Sequence, residues 1–152
     1  MTYCAGIIVW RKRKDGQIEF FLCSPGGPQW TNRECWNFPK GEIDTEKDET
    51  NLDCAIREFK EETGTDVVQN GHPLIYQQLV KQRADKYVYV IAKEWDGEKL
   101  DETCFSNTFV WTDGKEYPEI GKYAWMTLDE LKQRGGIKKY YSIFEDLIKR
   151  NT

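Results

Sequence analysis

The chain has 152 residues, of which 39% are hydrophobic and 14% aromatic, so it can bury a core and is not a disordered or low-complexity segment. Its net charge of −4 and pI near 5.2 argue against a broad basic surface, so we do not expect long nucleic acid as a partner. No apolar run approaches the ~20 residues of a membrane span, and the first basic cluster follows an apolar run, the reverse of a signal peptide. We expect one domain over residues 1–152 in the cytoplasm, without membrane contact.

Residues that could bind a soft metal are few. Five cysteines stand at wide spacings with no C-x-x-C pair, which predicts reduced thiols packed as small apolar groups. His72 is the only histidine, which excludes a histidine-rich metal site and leaves a Ser-His-Asp triad without a matching nucleophile motif. Any metal site must therefore use carboxylates. The cysteines are Cys4, Cys23, Cys35, Cys54 and Cys104.

The first half of the chain predicts three strands and one long helix. Strand-like runs of β-branched and aromatic residues occupy residues 5–10, 18–23 and, less regularly, 35–38. An acidic loop follows over residues 42–49. Thr50 and Asp53 fit the S/T-x-x-D/E signature of a helix N-terminus, apolar residues then recur at helical spacing, and Gly64 is the expected end.

The second half predicts more strands and two further helices. Strands are expected over residues 74–81 and 86–92, weaker strands over 105–112 and 123–126, and helices over 127–133 and 140–150. There is no internal repeat and no linker long enough to separate domains. The order of strands and helices predicts an α/β fold in which a mixed sheet lies between helices.

The predicted long helix has one face that packs and one that carries charge. Glu61 and Glu62 lie three and four positions after Glu58, so at ~100° per residue the three carboxylates share a face. Such a face is often only solvated. Because the three like charges repel each other, a hard divalent cation such as Mg²⁺, or Mn²⁺, would stabilise them.

The residues around this face resemble the Nudix box. The family pattern is Gly, five residues, Glu, seven residues, then Arg-Glu-apolar-x-Glu-Glu-x-Gly-apolar. Here Gly41 is followed by seven residues, Glu49, seven residues and then Arg57-Glu58-Phe59-Lys60-Glu61-Glu62-Thr63-Gly64-Thr65. The loop after Gly41 is two residues longer than in the pattern, and Thr65 replaces an apolar residue. The resemblance implies the Nudix α/β/α sandwich.

The resemblance also implies roles for the residues of the box. Glu58, Glu61 and Glu62 correspond to the family's metal ligands, together with the carbonyl group of Gly41. Glu61 and Glu62 are also candidates for the catalytic base. Arg57 and Glu49 correspond to a structural ion pair that orients the helix and the loop.

Residues outside the box are candidates for substrate binding and for proton transfer. The segment Phe38-Pro39-Lys40-Gly41 is similar to the entry of the box in diadenosine-polyphosphate, diphosphoinositol-polyphosphate and mRNA-decapping Nudix enzymes, where the lysine would contact a phosphate. Trp30 and Trp36 could each stack on a base or support the core. Glu119, in a turn between Pro118 and Gly121, is a candidate general base or added metal ligand.

Two further segments are similar to bacterial-type Nudix proteins described as predicted NTP pyrophosphohydrolases. They are Ser24-Pro25-Gly26-Gly27-Pro28-Gln29-Trp30 and Ser106-Asn107-Thr108-Phe109. The glycines and prolines of the first segment either shape a substrate loop or only form a turn.

Three functions are compatible with these residues. The resemblance implies a pyrophosphohydrolase that uses a divalent metal to cleave a phosphoanhydride bond in a nucleoside diphosphate derivative or a dinucleoside polyphosphate. One alternative is an enzyme that removes a 5′ cap or pyrophosphate from RNA. The other is a Nudix-fold nucleotide sensor that has lost hydrolysis. Because such sensors commonly lack box acids and this chain retains them, we favour an enzyme. The sequence gives no oligomeric state.

Overall fold

A computed structural model describes residues 1–30, 32–69, 71–96, 100 and 107–152. In this part of the chain there are eight strands and three α-helices. The strands are β1 (Thr2–Lys12), β2 (Ile18–Pro25), β3 (Lys40–Glu42), β4 (Ile75–Arg83), β5 (Lys86–Glu94), β6 (Thr108–Val110), β7 (Glu116–Pro118) and β8 (Ile120–Met126). The helices are α1 (Asn51–Thr63), α2 (Leu128–Arg134) and α3 (Tyr141–Arg150).

Strand β1 is the centre of the main sheet. On one side it pairs in parallel with β5, from Thr2 opposite Lys86 to Trp10 opposite Glu94. On its other side it pairs antiparallel with β3 near its beginning and with β2 near its end. Strand β4 lies outside β5 and β8 outside β2, both antiparallel, which confirms a mixed sheet. Strands β6 and β7 form a separate hairpin.

The two faces of the sheet are covered by different helices. Because side chains alternate along a strand, Ile7 and Val9 point to one face and Ile8 to the other. One core contains Ala5, Ile7, Val9 and Phe21 with Phe59 of α1, and the other contains Ile8, Phe20 and Trp36 with Phe144 and Leu147 of α3. The predicted α/β/α sandwich is therefore confirmed.

Local signals set the ends of α1. The hydroxyl group of Thr50 accepts a hydrogen bond from the backbone N–H of Asp53, whose carboxylate accepts one from the backbone N–H of Thr50. Gly64 ends the helix with φ of 74°, a conformation that favours glycine. Both predicted boundaries of the helix are confirmed.

The predicted strands differ from the observed ones in two places. Residues 35–38 form only isolated bridges, from Asn37 to Cys23 and from Trp36 to Gly136, instead of a strand. Of the predicted strand over 105–112, Thr108–Val110 is extended, while residues 105 and 106 lie outside the described part of the chain. Four cysteines are free thiols, and Cys104 also lies outside the described part.

No helix in the described ranges is long and apolar enough to cross a membrane.

Candidate active site

Helix α1 brings the predicted carboxylates to one side of the sheet. Its buried side chains, Cys54, Ala55, Phe59 and Thr63, pack toward β1 and β3. This packing leaves Glu58 and Glu62 partly buried at the edge of the packed face and Glu61 exposed. Glu61 is the most exposed of the ion-paired carboxylates on this helix, with 42% of its side chain accessible, whereas the side chain of Glu58 is 15% accessible.

Gly41 on β3 lies directly against the carboxyl group of Glu58. A methyl group on Gly41 would come within 2.0 Å of the Glu58 carboxyl carbon, so only glycine fits there without moving Glu58. The thiol group of Cys54 lies 3.6 Å from the carbonyl oxygen of Gly41 and donates to it. The structure therefore brings the Gly41 backbone and a box carboxylate together, as the resemblance implied.

Arg57 joins the acidic loop to the charged face of α1. Its Nε and Nη2 atoms each donate to a carboxylate oxygen of Asp48 over 2.9 Å, and its Nη1 atom lies 3.0 Å from Glu58 and 3.1 Å from Glu61. The side chain of Asp48 is only 1% accessible. The expectation that Arg57 pairs with Glu49 is wrong, because Asp48, one residue earlier, faces the guanidinium group. The turn after Asp44 points the Asp48 side chain inward, where its carboxylate accepts a hydrogen bond from the backbone N–H of Asp44.

Glu119 lies near the same carboxylates, in the turn between β7 and β8. Its backbone N–H donates to Asn107 over 2.9 Å, and its carbonyl group accepts from Gly26 over 3.3 Å, which holds the turn against the loop after β2. Burial raises the pKa of Glu119, and Glu61 raises it further. The structure places Glu119 beside the box, although its role remains a prediction.

Burial and like charge change the acidity of the box carboxylates. Burial raises the pKa of Glu62 to about 8, and Glu58 and Glu119 add to this effect while Lys40 opposes it. Burial also raises the pKa of Glu58, against the opposing effect of Arg57. Both shifts have the same cause: a negative charge is unfavourable where several carboxylates lie close together and are partly removed from water.

Lys40 is a positively charged residue beside these carboxylates. Burial lowers the pKa of its amine to about 8, and the nearby Lys86 contributes to that shift, while Glu62 acts in the opposite direction. Lys40 therefore lies in the same cleft as Glu62, and its contact with a phosphate stays a prediction.

These groups line one cleft with a narrow and a wide part. The narrow part has a volume of 190 Å³ and the wide part 480 Å³, and Pro25, Trp30, Lys40, Glu62 and Glu119 line both. Phe109 and Glu58 line the wide part only.

Trp30 and Phe109 present aromatic rings to the wide part of the cleft, whereas Trp36, predicted to lie there, does not. Trp30 lines the cleft with the guanidinium of Arg33 4.7 Å from its ring centroid. Phe109 packs against Gly27, where a methyl group would come within 2.7 Å of the phenyl ring. Trp36 is only 1% exposed in the core and lies under Arg134, so its ring is not available for stacking on a base.

Phe109 and Asp48 are the site residues that the sequence analysis missed. The only sequence signal for Phe109 was the similarity of two separate segments, around Gly27 and around Thr108, and the structure brings these segments together. Ser106, at the start of the second segment, lies outside the described residues.

The donor set suits a hard divalent cation. Glu58, Glu61, Glu62 and Glu119 offer only oxygen atoms, which Mg²⁺ and Mn²⁺ prefer. The raised pKa values of Glu58 and Glu62 show that added positive charge would be favourable there. Within the described ranges no three acidic, histidine or cysteine side chains already form a ligand cluster, and Arg57 lies between Glu58 and Glu61.

Comparison with known proteins identifies the family. The NUDIX domain model matches residues 2–147, so the chain belongs to the Nudix family.

Two curated relatives carry decapping names. The chain is 35% identical over 102 residues to mRNA decapping complex subunit 2 of Schizosaccharomyces pombe, an alignment that covers 67% of this chain and 12% of that protein. It is 36% identical over 120 residues to a putative mRNA-decapping protein of Acanthamoeba polyphaga mimivirus, which covers 75% of this chain and 29% of the relative. The chain thus spans less than a third of the length of either relative.

Solved structures support the same fold. A Caenorhabditis elegans Ap4A hydrolase in a binary complex has a TM-score of 0.62 at 22% identity, covering 97% of this chain and 95% of the other. The NUDIX domain of Shewanella oneidensis NrtR, complexed with ADP ribose, has a TM-score of 0.68 at 14% identity, covering 99% and 88%. At these identities the likeness establishes the fold only.

Proposed function

We propose that the chain is a hydrolase that cleaves a phosphoanhydride bond in a nucleoside diphosphate derivative or a dinucleoside polyphosphate, with the help of a divalent cation. The observation that carries this proposal is that Glu58, Glu62 and Glu119 meet Lys40 around one cleft. Phosphoanhydride hydrolysis needs a group that takes a proton from water and groups that neutralise phosphate charge. This cleft supplies both.

The cation would be Mg²⁺ or Mn²⁺. Such an ion, when bound, neutralises phosphate charge and makes a coordinated water more acidic. Glu58, Glu61 and Glu62, with the carbonyl group of Gly41, are the groups that would hold it. Arg57 already contacts Glu58 and Glu61, which supports the idea that this pair of carboxylates needs a positive partner.

The other side chains of the cleft act directly on substrate and water. Lys40 in its protonated form donates to a phosphate oxygen and holds the phosphate against the box. Glu119 accepts a proton from the attacking water, and its raised pKa makes it a stronger base than an ordinary glutamate. Trp30 and Phe109 lie at the edge of the cleft, where an aromatic ring can stack on a base.

RNA decapping is a second candidate function. It is favoured by the 35% and 36% identities to the two proteins with decapping names. The net charge of −4 weighs against a long RNA footprint, so we keep the small nucleotide as the leading substrate and propose a cytoplasmic site of action.

The test is hydrolysis of a substrate panel in the presence of Mg²⁺, with every product identified by mass. The panel contains nucleoside diphosphate sugars, dinucleoside polyphosphates and capped RNA. We expect cleavage at an anhydride bond in at least one small nucleotide, and none in excess chelator. Turnover restricted to capped RNA would favour the decapping function.

Two variants separate an enzyme from a sensor. Glu61→Gln and Glu62→Gln should each lower turnover by at least ~100-fold without loss of fold, because each removes a charge and keeps the shape. Glu46→Gln, an exposed acid in the loop before α1, is the matched control and should leave turnover unchanged. Nucleotide binding without product release by the wild type would overturn the enzymatic proposal.

A further inference from the structure

The turn that carries Glu119 touches the loop after β2 through two glycines. A Cβ atom on Gly121 would lie 2.7 Å from the Cα of Gly26 and 2.9 Å from the carbonyl oxygen of Pro25. A Cβ atom on Gly26 would lie 2.2 Å from the carbonyl oxygen of Pro118. Neither glycine has a positive φ, so the close approach of two backbone segments, and not an unusual conformation, requires glycine here.

Strand β8 has one extra residue at the same place. Its pairing with β2 is regular as far as Ser24 and Lys122, but the next residue of β2, Pro25, is opposite Ile120. Gly121 is therefore the additional residue of a β-bulge. The residues before the bulge are shifted by one position along β2, and a shift of one position reverses the face of the sheet to which a side chain points. The bulge thus sets the place of the whole turn.

Backbone hydrogen bonds hold this turn from both sides. The N–H of Glu119 donates to the carbonyl oxygen of Asn107, just before β6, over 2.9 Å, and the N–H of Gly26 donates to the carbonyl oxygen of Glu119 over 3.3 Å. Among the residues that the structure describes, the carboxylate of Glu119 itself forms no hydrogen bond or ion pair, although Glu119 lines both parts of the cleft. The position of the carboxylate therefore depends on that of its backbone.

We propose that Gly26 and Gly121 are positioning residues, whose backbone contact holds Glu119 at the place in the cleft where it acts on water. Carbon atoms in ordinary contact are ~3.5–4.0 Å apart, so a side chain on Gly121 would push the two segments apart by roughly 1 Å. A misplacement of that size costs up to about 10²-fold in rate. This positioning role rests on the function proposed above for Glu119.

The first experiment is a double-mutant cycle of Gly121→Ala with Glu119→Gln. Both kcat and KM are measured at saturating Mg²⁺ on the nucleotide that the substrate panel identifies. Gly121→Ala alone should lower kcat by about 10- to 100-fold and change KM by less than about threefold, because it displaces Glu119 and leaves Lys40 in place. In the Glu119→Gln background it should lower kcat by less than about twofold, because the carboxylate that it displaces is already absent.

Gly71→Ala is the matched control for this cycle. Gly71, like Gly121, has no positive φ, but a Cβ atom on it would meet nothing within 4 Å, so kcat and KM should stay unchanged in both backgrounds. An equal loss of kcat from Gly121→Ala with and without the Glu119 carboxylate would overturn the positioning role, because the glycine would then act through another group. A kcat of Gly121→Ala equal to that of wild type would overturn it as well.

The second experiment measures amide hydrogen exchange by NMR and needs no turnover. In the wild type the amides of Gly26 and Glu119 should exchange at least ~100-fold more slowly than in an unfolded peptide, because both donate hydrogen bonds at the contact. Gly121→Ala should remove this protection and leave that of the paired strands β1 and β5 intact.

The exchange rates keep the positioning role separate from the proposed hydrolysis. Unprotected amides of Gly26 and Glu119 in the folded wild type would overturn the contact, even if Gly121→Ala folds poorly. Full protection of both amides in Gly121→Ala would overturn it too. If no nucleotide of the panel is cleaved, the proposed hydrolysis fails, and the exchange rates still show whether the two glycines fix the turn.

Discussion

Arg57 contacts three carboxylates, and one of them is almost inaccessible to water. We expect Arg57→Ala to lower the free energy of unfolding by about 2–4 kcal/mol, because it leaves Asp48 charged and unpaired at a side-chain accessibility of 1%. Urea denaturation measures this loss. Arg57 also lowers the pKa of Asp48, so the stabilisation is present at neutral pH and is lost as the pH falls through the lowered value.

Glu49 provides the matched control for this pair. Glu49→Gln should change stability by less than about 0.5 kcal/mol, because among the described residues the exposed Glu49 forms no hydrogen bond or ion pair with Arg57. A loss in Glu49→Gln equal to that of Arg57→Ala would restore the pairing that the sequence pattern implied.

Glu119 is expected to act as a base. Glu119→Gln should lower the rate at saturating Mg²⁺ by ~10²–10⁴-fold and flatten the acidic limb of the pH profile, because the amide cannot accept the proton of water. The rate should be followed across pH beside Glu116→Gln, an exposed acid of the preceding strand β7 that should behave as wild type. A loss under about threefold with an unchanged limb would return the role to a box glutamate.

For single residues, helix periodicity predicted which side chains share a face of α1. The sequence did not predict which side chain of the acidic loop points inward. The common face of Glu58, Glu61 and Glu62 follows from the rotation per residue, which any α-helix keeps. The choice of Asp48 over Glu49 depends on the turn at Asp44, and no local pattern fixes which of two neighbouring acids points inward. The burial of Trp36 likewise depends on packing with distant residues.

Among the elements, the fit of β3 against α1 can be tested with one methyl group. Gly41→Ala should displace the carboxyl group of Glu58, since the new atom would lie 2.0 Å from its carbon. We expect the Mg²⁺ concentration for half-maximal rate to rise about 10-fold or more, as for other losses of ligand support. Kinetic titration with Mg²⁺ measures this.

The control for this variant is Gly71→Ala, where the added methyl group would meet nothing within 4 Å. It should leave the Mg²⁺ dependence unchanged. An unaltered Mg²⁺ titration of Gly41→Ala would mean that the Glu58 carboxyl group is not a ligand in its present position.

Helices with local end signals and most of the strands could be predicted, but the segment 35–38 could not. The capping residues Thr50 and Gly64 set α1 from within a few residues, and Thr127 caps α2 in the same way. Residues 35–38 have strand-like composition but pair only through isolated bridges, because β3 and β2 already occupy that edge of β1. Strand composition cannot show whether an edge is free.

For the molecule as a whole, the crowded carboxylates predict a stability that depends on pH and metal. The pKa of Glu62 is raised from 4.5 to about 8, so its contribution to stability is full below 4.5 and is lost as the pH rises to about 8. Without metal, the melting temperature should therefore fall over this range more in wild type than in Glu62→Gln. Thermal unfolding in chelator measures the difference.

Magnesium should reverse this trend, because the cation favours the ionised carboxylate. Glu46→Gln should follow the wild-type curve in both conditions. Parallel curves for wild type and Glu62→Gln in chelator would contradict the raised pKa of Glu62.

The parallel pairing of β1 with β5 has a consequence for biosynthesis. Thr2–Lys12 leaves the ribosome before its partner Lys86–Glu94. At common elongation rates the interval between them is on the order of ten seconds. During that interval β2 can close the hairpin at one edge, but the other edge of the apolar segment with Ile7 and Val9 stays open to other nascent chains. The cleft between Lys40 and Glu119 can assemble only after β8 emerges, so we expect aggregation, not partial activity, from synthesis arrested before that strand.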